Sequence, residues 1–436
     1  VKILKVIHGY PSDYNAGSEV YSQTLCQSLA KSHEVHVFTR EENPFLPDYH
    51  IRKETEQGPV IKHIVNIPLL RQRYRYRHDE IDSIFDSLLQ RIEPDIVHVG
   101  HLNHLSTSLL EKAQLREIPI VFTLHDYWLI CPRGQFIQRN SPEPWQSCEG
   151  QEDQKCAEKC YSGYFSGGLL EQKIDVNYWT DWIARRRLHL KEMIHHVDLF
   201  IAPSKYLLER FQKDLNIPSS KLVYLDYGFD LERLRGRKRI KENTFVFGYI
   251  GTHTPQKGVH LLIDAFGKVQ GPCKLKIWGR SRSEVTPGLK KVVSSLPLFV
   301  QEKIEWCSEY SNDEVVSEVF NHVDVIVVPS IWVENSPLVI HEAQQAGVPI
   351  ITADIGGMNE YVHHEVNGLL FNFRNSESLA FQMQRLVDDP DLIQKLMTRR
   401  YLYSPQGDVP DINAHVQEIE KIYAELTFKK ERNSLC

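Results

Sequence analysis

The sequence has no apolar run of the roughly 18 to 20 residues that a membrane-spanning helix requires. Val1 leads directly into a strand-like segment and not into a signal peptide. Both absences point to a soluble, cytoplasmic chain. Positive charge is not in excess. Lys and Arg number 51 against 57 Asp and Glu, a net charge of −6, so the electrostatic footprint of a nucleic-acid binder is missing. Cysteine is sparse: eight in 436 residues do not make a disulfide-stapled secreted scaffold. What remains is an ordinary globular composition, 42% hydrophobic and 25% charged, with length enough for two or three domains. A folded enzyme is the natural expectation.

Apolar strands alternate with amphipathic helices along the chain. Ile3 to His8 reads as a strand, Asn15 to Gly17 as a turn and Glu19 to Lys31 as a helix, with further strands at Glu34 to Thr39, Asp95 to Val99 and Ile118 to Leu124. The series restarts at Phe245 to Ile250 and runs through Lys274 to Trp278, Lys303 to Trp306, Val323 to Val328 and Val348 to Thr352. Such alternation predicts parallel strands with right-handed crossovers, hence two α/β lobes. One spans residues 1–226 and the other 227–409, with a final helix over 410–430 that can pack back on the first. Ligands of open α/β sheets sit beyond the carboxyl ends of the strands, so a cleft between two such ends is the expected site.

The sharpest local signal lies between Val328 and Gly347. There Asn335 or Ser336 is suited to cap a helix and Pro337 to occupy its first turn. Free amides at a helix start attract an anion such as a diphosphate. Glu342 follows Pro337 at about 7.5 Å along the axis, placed to accept hydrogen bonds from a ribose. Glu334 precedes the helix and is placed to bind sugar hydroxyls.

The run Glu334-Asn335-Ser336-Pro337-Leu338 through Glu342 resembles the E-x7-E element of the large retaining glycosyltransferase family with the GT-B fold, family 4. That resemblance implies two Rossmann-like lobes facing across a cleft. It can be followed elsewhere in the chain. Ala16-Gly17-Ser18-Glu19 is similar to the family's glycine loop, with Gly17 as the residue approaching the donor phosphates. His125, in Thr123-Leu124-His125-Asp126, stands where the family places a cleft histidine near the transferred sugar. Gly251-Thr252-His253 and Gln256-Lys257-Gly258 resemble the elements that neutralise the diphosphate, with Lys257 in that role. The family's arginine is replaced here by Thr252, for which His253 or Arg280 are substitutes. Glu309 and Tyr310 fall in the loop beside the nucleobase. The resemblance implies His125, Lys257 and Glu334 as catalytic residues, no divalent metal in catalysis, and no cofactor. It also implies a nucleoside-diphosphate sugar as donor, UDP-glucose or a relative, and a glycan or lipid-linked acceptor in polysaccharide synthesis. The metal-binding Asp-x-Asp element of the other main glycosyltransferase fold is not seen.

Cys131, Cys148, Cys156 and Cys160 cluster in a loop rich in Gly, Pro, Glu and Gln. A structural zinc site, disulfides and unlinked thiols all remain open for them. From Asn177 to His196 a helix combines Tyr178, Trp179, Trp182 and Ile183 with Arg185, Arg186, Arg187 and Lys191. It reads as a core helix with a solvated basic face, or as a peripheral contact with the inner face of a membrane. Two other functions fit parts of the pattern. One is a glycoside hydrolase using Glu334 and Glu342 as its carboxylate pair; the other is a two-lobed protein that binds a nucleotide or sugar without turnover.

Overall fold

The structure, a computed structural model, describes all residues except 56–57, 69–75, 141–144, 167, 169–170 and 435–436, with backbone alone for 431–434. It divides into two compact units, Val1–Gly228 with Ile412–Cys436, and Phe229–Asp411.

Unit 1 is built on an eight-stranded sheet in the order β10-β9-β6-β5-β1-β2-β4-β3. The strands are β1 (Lys2–Val6), β2 (Glu34–Glu41), β3 (Ile51–Thr55), β4 (Ile61–Asn66), β5 (Ile96–Val99), β6 (Ile120–Thr123), β9 (Leu199–Ala202) and β10 (Leu222–Tyr224), while β7 (Ile137–Gln138) and β8 (Gln146–Ser147) form a separate short hairpin. Every pairing in the large sheet is parallel except β3 with β4. The central strands β1 and β5 are apolar and buried along nearly their whole length, as expected where helices cover both faces. The edge strand β3 carries Arg52, Lys53 and Glu54, charges that discourage a further strand from pairing there.

The helices of this unit are α1 (Gly17–Leu29), α2 (Asp79–Ile92), α3 (Leu109–Leu115), α4 (Asp153–Cys156), α5 (Gln172–Met193) and α6 (Lys205–Leu215). α2 shows why: Ile81, Phe85, Leu88, Leu89 and Ile92 fall on one buried face, acidic residues fill its first turn, and Glu93 ends it in the left-handed conformation.

Unit 2 has a six-stranded parallel sheet in the order β13-β12-β11-β14-β15-β16. Its strands are β11 (Phe245–Ile250), β12 (Cys273–Trp278), β13 (Ile304–Trp306), β14 (Val325–Val328), β15 (Ile350–Ala353) and β16 (Gly368–Phe371). Its helices are α7 (Val259–Phe266), α8 (Thr286–Ser294), α9 (Leu298–Gln301), α10 (Leu338–Gln345), α11 (Gly356–Tyr361), α12 (Ser376–Asp388) and α13 (Asp391–Met397). The last helix, α14 (Ile412–Ser434), belongs to unit 1. It is tied to α1 by a hydrogen bond between Tyr21 and His415 at 2.7 Å and to β5 by one between His98 and Tyr423 at 2.6 Å.

Both sheets therefore have a point where strand order reverses, between β1 and β5 in unit 1 and between β11 and β14 in unit 2. Ligands of open α/β sheets bind beyond the carboxyl ends of strands at such points.

Candidate active site

In unit 2 the loops leaving β11 and β14 meet. After β11 a short turn ends at Lys257, and Gly258 caps α7 with φ +72°. A Cβ on Gly258 would lie 1.9 Å from the Pro329 carbonyl oxygen, so only glycine lets this turn lie against the end of β14. Lys257 Nζ then reaches Glu334 Oε1 at 2.7 Å, and Ser330 Oγ donates to the same oxygen at 2.6 Å. Glu334 is 5% exposed. Lys257 also lies 5.9 Å from the centre of the Trp332 ring. The Glu334 backbone is fixed as firmly: its carbonyl accepts from Gly357 N at 3.0 Å. A Cβ on Gly357 would fall 1.2 Å from the Asn335 oxygen.

The helix after this loop departs from expectation. α10 begins at Leu338, and Pro337 itself occupies the cap position with extended backbone and no side-chain cap. Asn335 and Ser336, both buried, lie before that cap. The physical reason is the glycine-edged contact of residues 334 and 335 with α11, which holds the chain extended up to Pro337, and the bias of a residue before proline against helical geometry. Ile340 N already bonds to Pro337 O at 3.0 Å. The Leu338 and Val339 amides have no backbone partner among the described residues, and they are what this helix start offers an anion.

Glu342 Oε1 accepts from Arg233 Nη2 at 2.7 Å. Arg233 also donates to Asn312 O. Burial, and next the Glu342 charge, push the Tyr310 phenol up, which puts Tyr310 in this neighbourhood. His253 is buried, bonded through Nδ1 to Thr286 Oγ1 at 3.2 Å and edge-on to Trp306, with its Nε2 unpartnered. Burial pulls its pKa down. Thr252 contributes its carbonyl to Tyr249 Oη. Arg280 and Glu309 are exposed.

Glu334 and Glu342 are each committed to their own cation.

Unit 1 gathers histidines at three strand ends: His8 after β1, His101 after β5 and His125 after β6. His125 Nδ1 and Tyr227 Oη are 2.7 Å apart, with the two rings stacked and Tyr21 edge-on. Burial, then the charges of Lys5 and His101, hold His125 well below the usual imidazole range. His101 packs on His8 at 4.3 Å between ring centres and meets Asp126 at 3.3 Å. His8 in turn lies 3.4 Å from Glu19. Gly17 opens α1 in an exposed position, two residues before Glu19. Of these residues the sequence reading named Gly17 and His125, and not His8, His101 or Glu19. The readable signal was a histidine following each of three apolar strands. Arg233, Ser330, Gly356 and Gly357 were missed in unit 2, where the Gly-Gly pair after β15 was the available clue.

With this geometry in hand, the comparisons decide the family. The pattern for Glycosyltransferase Family 4 matches residues 16–233, half of the chain, and that for Glycosyl transferases group 1 matches residues 230–402. The chain belongs to glycosyltransferase family 4. An uncharacterized glycosyltransferase of Methanocaldococcus jannaschii is 27% identical over 201 residues, covering 43% of this chain and 50% of that one. UDP-Gal:alpha-D-GlcNAc-diphosphoundecaprenol alpha-1,3-galactosyltransferase of Escherichia coli is 27% identical over 200 residues, covering 41% and 48%. The matched part of this chain thus spans about half the length of these curated relatives. The Anabaena HepE structure in complex with UDP and glucose aligns over 97% of this chain and 99% of that one, with TM-score 0.67 and 18% identity. This family 4 glycosyltransferase therefore has the GT-B fold.

In this transferase the cysteine loop is packed by aromatic side chains. Cys156 and Cys160 share one apolar cluster with Tyr161, Trp179, Trp182 and Ile183. Burial raises their thiols to about 12 and about 11. Cys131, Cys148, Cys156 and Cys160 are all free. Among the described residues no group of three or more His, Cys, Asp or Glu stands where it can hold a metal ion. The missing apolar packing that suggested zinc is supplied by α5. For the same reason Trp179, Trp182 and Ile183 are not available to a lipid surface. No helix of the described residues is long and apolar enough to cross a membrane. An Asp-x-Asp does occur, Asp389 to Asp391, but both residues are exposed, Asp389 just after α12 and Asp391 at the start of α13, away from any strand end.

Proposed function

We propose that the enzyme transfers a hexose with retention from a UDP-sugar, UDP-glucose or a relative, to a glycan or lipid-linked acceptor in polysaccharide synthesis. The observation that carries this is the switch-point arrangement of unit 2, where Lys257 and Ser330 hold Glu334 and Arg233 holds Glu342 at the two sides of the α10 start. Glu342 binds the ribose, the Leu338 and Val339 amides with Lys257 bind the diphosphate, and Glu334 binds the sugar. Lys257 and those amides stabilise charge on the leaving diphosphate. His125 supports the charge that develops at the anomeric carbon, and the leaving phosphate takes the acceptor proton. The UDP and glucose named in the HepE structure and the lipid-linked acceptor named for the E. coli relative support donor and acceptor class. A peripheral membrane contact falls to the exposed Ile174, Tyr178 and Leu188 of α5, interspersed with Arg185 and Lys191.

The test is UDP release from UDP-glucose in the presence of saccharide acceptors, with the anomeric configuration of the product read by NMR. Turnover that needs an acceptor and retains configuration supports the proposal. Binding of UDP-glucose without turnover on any acceptor, or an inverted product, contradicts it.

A further inference from the structure

Most structural arginines of unit 1 are paired with carboxylates: Arg116 with Asp86, Arg187 with Asp153 and Arg210 with Asp214. Among the described residues, three in the segment after β6 and on α5 have no carboxylate partner. Arg133 donates to Tyr164 Oη at 2.9 Å and lies over the Tyr161 and Tyr164 rings at 5.5 and 5.6 Å. Arg139 donates to Gln135 Oε1 at 2.6 Å and lies 5.8 Å from the Trp145 ring centre, its buried Nε without a partner. Arg186, 1% exposed, lies 4.6 Å over the Trp128 ring and donates to the Trp128 carbonyl, its Nη1 buried and unpartnered.

The aromatic rings account for the faces of these guanidinium groups. They do not account for the in-plane N–H donors, of which each arginine has five. A cation held out of water without an anion is costly to keep; Arg186 is buried and Arg133 and Arg139 are half-buried, within electrostatic reach of one set of groups. Burial pulls Arg139 down to about 10 and the nearby Arg133 charge adds to the effect. Arg133 and Arg186 share Tyr161 as a neighbour. The carboxylate of Asp126, within electrostatic range of Arg186, is bonded to His101 and to Trp128 N instead. Planar forks of this kind bind phosphate oxygens two at a time.

We propose that Arg133, Arg139 and Arg186 form a site for an anionic group of the phosphate class carried by the acceptor. The inference rests on the reading that unit 1 takes the acceptor, and it narrows that acceptor to a phosphorylated or diphosphorylated one. The site follows directly in sequence from His125 and Asp126, so an acceptor held there by its phosphate has its saccharide near the end of β6.

The experiment is calorimetric titration of inorganic pyrophosphate into the full chain, alone and with saturating UDP, for wild type, Arg133→Gln and Arg139→Gln. Pyrophosphate should still bind when UDP is present, and at least about ten-fold more weakly in each variant, while UDP affinity and melting temperature stay as in wild type. In transfer assays the variants should raise KM for a phosphorylated acceptor at unchanged kcat and leave a neutral glycoside acceptor unaffected. A free sugar phosphate and an alkyl diphosphate, compared as acceptors, distinguish a soluble source from a lipid headgroup. Pyrophosphate binding that UDP abolishes completely, or that is equal in wild type and variants, overturns the proposal. Failure of wild type to bind UDP would instead sink the donor reading and leave the arginine comparison decisive.

Discussion

The ammonium of Lys257 lies 2.7 Å from Glu334 Oε1, although 77 residues separate the two in the chain. The contact joins the loop after β11 to the loop after β14 across the reversal of strand order in unit 2. On the proposed reading, an incoming diphosphate and sugar compete for both partners. Lys257→Ala should lower kcat by about 10²- to 10³-fold, the cost of removing one donor aimed at developing charge. Steady-state kinetics with saturating UDP-sugar checks this; an unchanged kcat would remove Lys257 from the mechanism.

The two glutamates should separate cleanly. Glu342→Ala should weaken UDP and UDP-sugar together, whereas Glu334→Ala should leave UDP binding intact and abolish the difference between UDP and UDP-sugar. Calorimetry on both variants reads the outcome, and equal losses for both ligands in both variants would dissolve the assignment. Glu342→Ala also strands Arg233, whose side chain is 13% exposed, so its melting temperature should fall by the equivalent of about 1–3 kcal/mol.

Gly357→Ala should be among the most damaging single changes in unit 2. The new methyl meets the Asn335 carbonyl oxygen at 1.2 Å, so the Glu334–Asn335 loop or the start of α11 must move. A loss of more than about 2 kcal/mol in denaturant unfolding is expected, together with lost UDP-sugar binding. A variant with wild-type stability would show that the contact is soft.

Acid should weaken unit 1 through its buried histidines. Burial holds His415 down at about 4, against 6.5 for the free side chain. As pH falls through about 6.5 the unfolded chain takes up the proton and the folded protein does not, so stability present above 6.5 is lost progressively down to about 4. This one group accounts for on the order of 3 kcal/mol. Urea midpoints at pH 7.5 and pH 5 should show the drop, and His415→Gln should reduce it. A flat profile would contradict the burial of this imidazole.

Much of the fold was legible because parallel strands covered on both faces are nearly continuous apolar runs, as in Val325–Val328. β3 and β4 were not read, because Ile51–Thr55 is a charged edge strand with no such run. At the candidate site, spacing pointed to Glu334 and Glu342 and the family resemblance to Lys257, but neither showed what holds them. Arg233 and Ser330 act through distances that only folding creates, and a glycine such as Gly357 is informative only when the carbonyl facing it is known. The helix start was misjudged by one residue, since Pro337 suits a cap as well as a first turn until the packing of α11 decides. Four clustered cysteines suggested a metal because part of the apolar cluster that packs Cys156 and Cys160, Trp179 and Trp182, lies further along the chain on α5.

The most direct measurement is calorimetric titration of the purified wild-type chain with UDP, GDP and ADP without added metal. A UDP-sugar transferase of this design should bind UDP at least about ten-fold, or 1.4 kcal/mol, more tightly than either of the others. A chain that binds none of the three, or prefers GDP or ADP, contradicts the proposed donor.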